Sequence, residues 1–330
     1  MNRYRAIVIG ANGFIGRILL AELQSREIEA IGVILSSSET IEVSRKVLES
    51  LDYPPPELRL IKSLGSDELN TLFAEYKPNV VFHLAGMTKC KRGHDCLNEY
   101  IQSNLVTIGS VITAIGHIQE EARPMLVVPG SQMEYGLAEM PWTESRKCKP
   151  SNSYGVSKYL TTELVLSTMR SHAIKGTIVR LPIIFGPGQW PSMFIPELVS
   201  KCILGLTTSM TSGRQTRRFL HCKDAVRFFH EVASSLVSGE TVPSLVNAPA
   251  SAPMTILSVA KKITSFEGKQ NLLKIGALPE RHDEIIDAWP DSTLANQLNY
   301  IDITPMDQAL KSTYKWYSEN AWFTEEKAKG

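Results

Sequence analysis

The segment Arg5-Ala6-Ile7-Val8-Ile9-Gly10-Ala11-Asn12-Gly13-Phe14-Ile15-Gly16-Arg17-Ile18-Leu19-Leu20 decides the fold. The run Ala6–Ile9 is apolar without alternation, so it reads as a strand covered on both faces. Three glycines follow at Gly10, Gly13 and Gly16, and the apolar spacing then becomes that of a helix. In such a strand–turn–helix, one glycine permits the tight turn and the next lets backbone approach a pyrophosphate. The last lets helix and strand pack closely. The pyrophosphate then sits over free N–H groups at the positive helix end. Gly10, Asn12, Gly13, Phe14, Ile15 and Gly16 are therefore expected to bind a dinucleotide. The spacing is Gly-x-x-Gly-x-x-Gly, and a glycine-rich turn before an ordinary helix is the plain alternative.

Outward from this segment, short β-branched runs alternate with longer amphipathic stretches. Strands are predicted at 5–9, 29–35, 58–62, 80–84, 125–128 and 176–180, and helices over 14–24, 98–117 and 154–172. This alternation predicts an α/β fold, a Rossmann-type doubly wound parallel sheet with helices on both faces. After Gly186-Pro187-Gly188 the chain becomes richer in Pro, Ser and Thr and its strand signals weaken. Regular patterns return at 217–229 and 244–247. The expected organisation is a dinucleotide-binding domain over 1–186 with return segments near 217–250. A smaller, mostly C-terminal substrate-binding lobe over 187–330 completes it.

A chain of 330 residues suits one large α/β unit or two intimate domains. Net charge is +1, so no bulk field draws the protein to nucleic acid or to a membrane surface. No apolar run reaches the roughly 18 residues needed to span a bilayer. Residues 1–5 lead directly into the first strand, so no signal peptide is expected. The 5 cysteines are odd in number and form no Cys-x-x-Cys pair, so reduced thiols in a cytoplasmic protein are expected. His94 with Cys90 and Cys96 fits no common zinc spacing, and Lys89, Lys91 and Arg92 oppose a cation there, so no metal is expected.

The end of the second strand chooses between the two nicotinamide dinucleotides. A carboxylate there hydrogen-bonds the ribose of NAD. Here Ala30–Leu35 runs into Ser36-Ser37-Ser38, with no carboxylate until Glu39. Three hydroxyls and their N–H groups suit a 2′-phosphate, with Arg17 or Arg45 adding charge, so NADP is the expected cofactor. The alternative is a plain turn at 36–38 with Glu39 reaching the ribose of NAD.

Ser151-Asn152-Ser153-Tyr154-Gly155-Val156-Ser157-Lys158 places a tyrosine and a lysine one helical turn apart. A tyrosine hydroxyl is a poor acid, with a pKa near ~10. A lysine ammonium one turn along and a cationic nicotinamide both favour the phenolate, so Tyr154 can move a proton nearer neutral pH. Ser131 lies just after the buried strand 125–128, at the sheet edge where ligands bind in such folds. Its hydroxyl can orient a substrate carbonyl or alcohol. An isolated Tyr-x-x-x-Lys is usually a solvated helix face; Ser131 and the N-terminal glycines give the pair its weight.

Taken together, the chain resembles the extended short-chain dehydrogenase/reductase family, in its branch of nucleotide-sugar epimerases, dehydratases and 4-ketoreductases. The segments that carry the resemblance are 10–16, His83-Leu84-Ala85-Gly86, Asn104, Gly130-Ser131-Gln132-Met133-Glu134-Tyr135-Gly136, 154–158, 180–188 and 217–224. The resemblance implies that Tyr154 donates or accepts the proton, Lys158 holds the nicotinamide ribose and Ser131 holds the reacting sugar oxygen. Leu84, Ala85, Gly86 and Leu181 would join the cofactor site. Thr88, Gln132, Trp190, Arg217 and Arg281 would face the nucleotide-sugar substrate, with His221 and Asp224 supporting the strand of Arg217. A homodimer through the helices over 98–117 and 154–172 is implied as well, with apolar Val111, Ile112, Ile115, Leu160, Leu164 and Val165 available.

The departures from the family pattern point to a reaction. Dehydratases of the family place Asp and Glu directly after the Ser/Thr to move protons during water loss; here Gln132 and Met133 stand there. The Gly-Ser-x-x-Glu-Tyr-Gly form is similar to that of GDP-4-keto-6-deoxymannose reductases. Ile183, Arg218 and Ala288-Trp289-Pro290-Asp291 replace residues usual in the substrate grip. The expected activity is NADP-dependent reduction of a keto group on a nucleotide-activated deoxysugar, with Tyr154 supplying the proton. The alternatives are an epimerase holding NAD tightly and a non-catalytic dinucleotide sensor. His83 ends a buried strand and reads as a core histidine in preference to a cofactor neighbour.

Overall fold

The computed structural model describes residues 4–35, 38–88, 96–172, 174–280, 285–298 and 303–325. The strands are β1 (Arg5–Ile9), β2 (Glu29–Leu35), β3 (Leu58–Ile61), β4 (Val80–His83), β5 (Met125–Ser131), β6 (Gly176–Leu181), β7 (Ile183–Phe185), β8 (Thr208–Met210), β9 (Thr216–Arg217), β10 (Phe219–His221), β11 (Leu245–Asn247), β12 (Met254–Thr255) and β13 (Leu273–Ile275). The helices are α1 (Phe14–Ser25), α2 (Ser38–Glu49), α3 (Ser66–Tyr76), α4 (Leu97–Tyr100), α5 (Thr107–Gly116), α6 (Ser153–Ser171), α7 (Phe194–Ile203), α8 (Cys222–Val237), α9 (Ile256–Ser265), α10 (Thr293–Gln297), α11 (Met306–Glu319) and α12 (Ala321–Glu325).

Seven strands form one parallel sheet in the order β11-β6-β5-β4-β1-β2-β3. The chain starts in the middle, builds outward through β3, then returns to the other side of β1. The switch point therefore lies between β1 and β4, where a crevice opens beyond the carboxyl ends of the strands. Alternate residues of each strand face opposite layers. Ala6, Val8 and Phe82 pack under α1 and α8 with Ile18, Leu19, Ala225 and Phe229. Ile7, Ile9 and Val81 pack under α3, α5 and α6 with Leu69, Phe73, Ile108 and Val165. The two-sided burial expected from the run at 6–9 is thus present on every residue.

After β7 the chain leaves the sheet and builds a second core from α7, α9 and α11, with Leu198, Val199, Ile263, Leu310 and Tyr317 buried there. It comes back through α8 and β11, which adds Leu245–Asn247 to the sheet edge beside β6. Asp224 on α8 ties the C-terminal chain down, accepting from the backbone N–H of Thr304 at 2.8 Å and from its hydroxyl at 3.0 Å.

Two sequence expectations change. The single helix over 98–117 is three pieces, because a π-helical turn, Ile101–Val106, separates α4 from α5. Cys96 is disulfide-bonded, against the expectation that all cysteines are reduced thiols; Cys148, Cys202 and Cys222 are free and buried. No described helix is long and apolar enough to cross a membrane.

Candidate active site

The glycine turn lies at the switch point. Gly10 has φ +87°, and a Cβ there would stand 2.5 Å from the Ala85 backbone nitrogen, just past β4. Only glycine lets these two strand ends approach so closely. A Cβ on Gly16 would overlap the Gly10 carbonyl oxygen and lie 3.1 Å from the Ala11 Cα. Gly13 is exposed, and a Cβ there would meet only the Gly10 oxygen, at 3.2 Å. Gly13 is also the N-cap of α1; no side chain caps the helix and its first turn holds no acid. Its first N–H groups are therefore left to an anion. Phe14 and Ile15, half-buried, carry two of those groups, and the backbone oxygen of Asn12 is fixed by the Ser44 hydroxyl at 3.1 Å. The cradle fits a dinucleotide pyrophosphate.

Ser36 and Ser37 lie outside the described residues, as do the side chains of Ser38 and Glu39. The two cations expected to help a 2′-phosphate are both engaged. Arg17 is fully buried and donates to the Gly188 carbonyl. Arg45 pairs with Glu42 at 2.7 Å and also with Glu49.

Tyr154 and Lys158 share one face of α6, whose N-cap Asn152 accepts from the Gly155 N–H at 2.8 Å. Lys158 Nζ donates to the Pro129 carbonyl of β5 at 2.5 Å. Burial holds its ammonium below the usual lysine range, with Glu134 pulling it back up. Burial pushes the Tyr154 phenol up to about 12; a hydrogen bond with Ser131 acts against this, while Glu134 and Tyr100 add to it. The Tyr100 ring lies 5.7 Å from that of Tyr154. Ser131, Tyr154 and Lys158 are therefore brought together at the end of β5. His83 is buried in the same neighbourhood and bonds Thr107 at 3.3 Å. Burial, then Lys158, pushes its imidazole down to about 3. Asn104, on the π-helical turn, bonds Ser157 at 3.0 Å and both backbone groups of Met87. It closes against Gly86, where a Cβ would stand 2.6 Å from its amide oxygen.

Beneath Ser131 lies a set of residues that the sequence reading gave no role. Ser131 is the N-cap of a short 3₁₀ turn: its Oγ accepts from the Met133 N–H at 3.2 Å, and its own N–H donates to Glu134 Oε1 at 2.7 Å. Glu134 Oε2 pairs with Arg180 Nε at 2.8 Å, and both side chains are almost wholly buried. Arg180 lies over the Tyr135 ring at 4.5 Å, and Tyr135 donates to Asn247 Oδ1 at 2.8 Å. Asn247 in turn donates to the carbonyls of Trp142 and Asp291 at 3.0 and 2.9 Å. A signal was available, since Ser131-Gln132-Met133-Glu134 is a capping-box sequence.

The expected substrate residues are more scattered. Gln132 is buried beside Ser131, and its Oε1 has no partner. Thr88 is exposed. Leu84 and Ala85 are half-buried past β4, while Leu181 is buried in the core under α8. Arg217 on β9 donates to the Ile286 carbonyl at 3.1 Å. Trp190 stacks on Phe323 at 5.2 Å, so its position is one of packing against the second core. Arg281 lies outside the described residues, as do Lys89, Cys90, Lys91, Arg92 and His94. His221 and Asp224 serve α8: His221 caps it, accepting from the Lys223 N–H at 3.4 Å.

Comparison with known proteins agrees with this fold. A dTDP-glucose 4,6-dehydratase from Neisseria meningitidis is 22% identical over 340 residues, covering 96% of this chain and 94% of its own. Among solved structures, a UDP-glucuronic acid 4-epimerase from Bacillus cereus in complex with UDP-glucuronic acid and NAD superposes with a TM-score of 0.79. It is 20% identical over 96% of this chain and 99% of its own. A dTDP-glucose 4,6-dehydratase from Bacillus anthracis in complex with NAD gives 0.80 at 18% identity, over 97% and 98%. The similar proteins are thus nucleotide-sugar dehydratases and epimerases, not specifically 4-ketoreductases. The family model described as NAD dependent epimerase/dehydratase matches residues 6–246, and the chain belongs to that family.

Proposed function

We propose that the protein moves hydride between a nicotinamide cofactor and one carbon of a nucleotide-activated sugar, with Tyr154 as the proton carrier and no elimination of water. The observation that carries this is the stretch after Ser131. Gln132 and Met133 stand where a dehydratase needs two acids, and neither side chain can act as one. The next carboxylate along the chain, Glu134, is committed to the Ser131 N–H and to Arg180.

A nicotinamide held there would supply the acceptor and donor of hydride. Ser131 orients the reacting oxygen, and Tyr154 takes the proton from a sugar hydroxyl or returns it to a ketone. Lys158 holds the ribose and keeps positive charge beside the phenol. Gln132, with a buried amide oxygen lacking a partner, accepts from a sugar hydroxyl, and Arg217 meets the nucleotide phosphates.

We read the cofactor as NAD and the reaction as 4-epimerisation, because Arg17 and Arg45 are engaged elsewhere and the similar structures hold NAD. Reduction of a 4-keto-deoxysugar with NADP is the second reading. It is favoured by the Gly-Ser-x-x-Glu-Tyr-Gly motif. Incubation with UDP-glucose, UDP-glucuronic acid and dTDP-glucose, with sugars followed by NMR, tests this. Interconverting epimers without net cofactor change support the first reading, and stoichiometric NADPH oxidation on a 4-ketosugar supports the second. A product lighter by one water refutes the absence of elimination.

A further inference from the structure

We infer that Glu134 is a positioning residue, locked by Arg180, that holds the Ser131 hydroxyl as a donor toward Tyr154. The inference rests on the reading of Ser131 and Tyr154 as a working pair. Three observations carry it. Ser131 Oγ already accepts from the Met133 N–H at 3.2 Å, so the hydroxyl proton is directed away from that turn. The turn is closed on its other side by Glu134 Oε1, 2.7 Å from the Ser131 N–H. Glu134 has no freedom to leave, because its second oxygen is 2.8 Å from Arg180 Nε, with 0% and 3% of the two side chains exposed.

Arg180 is fixed in turn. It stands over the Tyr135 ring at 4.5 Å and reaches the Cys148 sulfur at 3.2 Å. Tyr135 is bound to Asn247, whose amide spans to the Asp291 carbonyl. A tether therefore runs from Ser131 across the end of the sheet to the chain before α10. Gly130 completes the fit: a Cβ there would stand 2.8 Å from Glu134 Oε1 and 3.0 Å from the Arg180 side chain. A hydroxyl donating to the phenolic oxygen favours phenolate, which agrees with the direction in which Ser131 moves Tyr154.

The test needs no substrate. A ring-fluorinated tyrosine is placed at 154 and its ionisation followed by fluorine NMR. Ser131→Ala should raise the titration midpoint by removing the donated hydrogen bond. Glu134→Asp keeps the charge but is too short to reach the Ser131 N–H, and it should raise the midpoint in the same direction. Combined with Ser131→Ala it should add nothing further, since both changes remove one contact. Should Glu134→Asp not fold, the paired change Glu134→Leu with Arg180→Met leaves no lone buried charge; loss of the Glu134 charge by itself lowers the midpoint, so a rise reports the lost Ser131 donor and a fall overturns the positioning role. A midpoint unmoved in the Glu134 variants while Ser131→Ala raises it, or effects that add, overturns the positioning role alone. A midpoint unmoved by Ser131→Ala overturns the Ser131–Tyr154 pairing beneath it.

Discussion

Replacement of Gly16 by alanine is the most direct test of the cofactor cradle. The new methyl would overlap the Gly10 carbonyl oxygen and stand 2.9 Å from the Gly10 carbonyl carbon. Both are backbone atoms of a turn that is itself pressed against Ala85, so no side chain can swing aside. Relief requires the first turn of α1 to withdraw by roughly 1 Å, to ordinary carbon contact distance. Alanine gains about 1 kcal/mol over glycine in a helix, whereas overpacking costs about 1–3 kcal/mol. The net destabilisation is small, a fall of a few degrees in Tm at most. Binding suffers more, because the N–H groups of that turn move off the pyrophosphate. One hydrogen bond to a charged group contributes about 1.5–3 kcal/mol, or roughly 10- to 100-fold in affinity. Calorimetric titration with NAD beside a thermal melt reads both effects. Wild-type affinity with an unchanged melt would refute the reading of this turn as the pyrophosphate site.

Tyr154→Phe should bind NAD normally and lose about 10²–10⁴-fold in turnover; more than a tenth of wild-type rate would remove Tyr154 from the mechanism. NAD should bind more tightly than NADP in paired titrations, and the reverse order would restore Ser36–Ser38 as a 2′-phosphate site. His83 is buried with its imidazole pushed from 6.5 down to about 3, so below pH 6.5 the unfolded chain takes up a proton that the native site refuses. Stability from this group is complete above that pH and falls by about 1.4 kcal/mol per pH unit beneath it. His83→Gln should flatten the acid side of the Tm–pH curve, and an unchanged slope would show that other groups set it. Light scattering should give twice 36.7 kDa, and Leu160→Glu should halve that mass; a monomeric wild type ends the dimer proposal.

The fold was legible because its signals are local. A two-faced apolar strand, a glycine turn and the change of period at Phe14 specify β1, the turn and α1 without reference to distant residues. Tyr154, Lys158 and Ser131 were legible for the same reason, since spacing on α6 and the end of β5 place them. Three features were hidden. The π-helical turn at Ile101–Val106 breaks a helical period that reads as continuous. It carries Asn104, whose partners Met87 and Ser157 lie on other elements. The Glu134–Arg180 pair joins residues 46 apart in sequence, so neither local pattern shows the other. For the dimer, Val111, Ile115 and Val165 counted as spare apolar surface, yet they are fully buried in this chain's own core. Val106, Leu160 and Leu164 are the exposed apolar residues on those helices.

The last strand of the sheet, β11, has a consequence for how the protein can be cut and made. It pairs with β6 only after the chain has travelled through α7, β8 and α8. A fragment ending near residue 186 would keep Gly10, Gly13 and Gly16 and the Tyr154–Lys158 pair, yet leave β6 with unpaired backbone groups along one side. A bared strand edge of that kind is a template for pairing with other chains. The fragment should therefore aggregate rather than bind nucleotide. On the ribosome, the sheet cannot close until Asn247 has emerged, so the first six strands must stay open at one edge while about sixty more residues are synthesised.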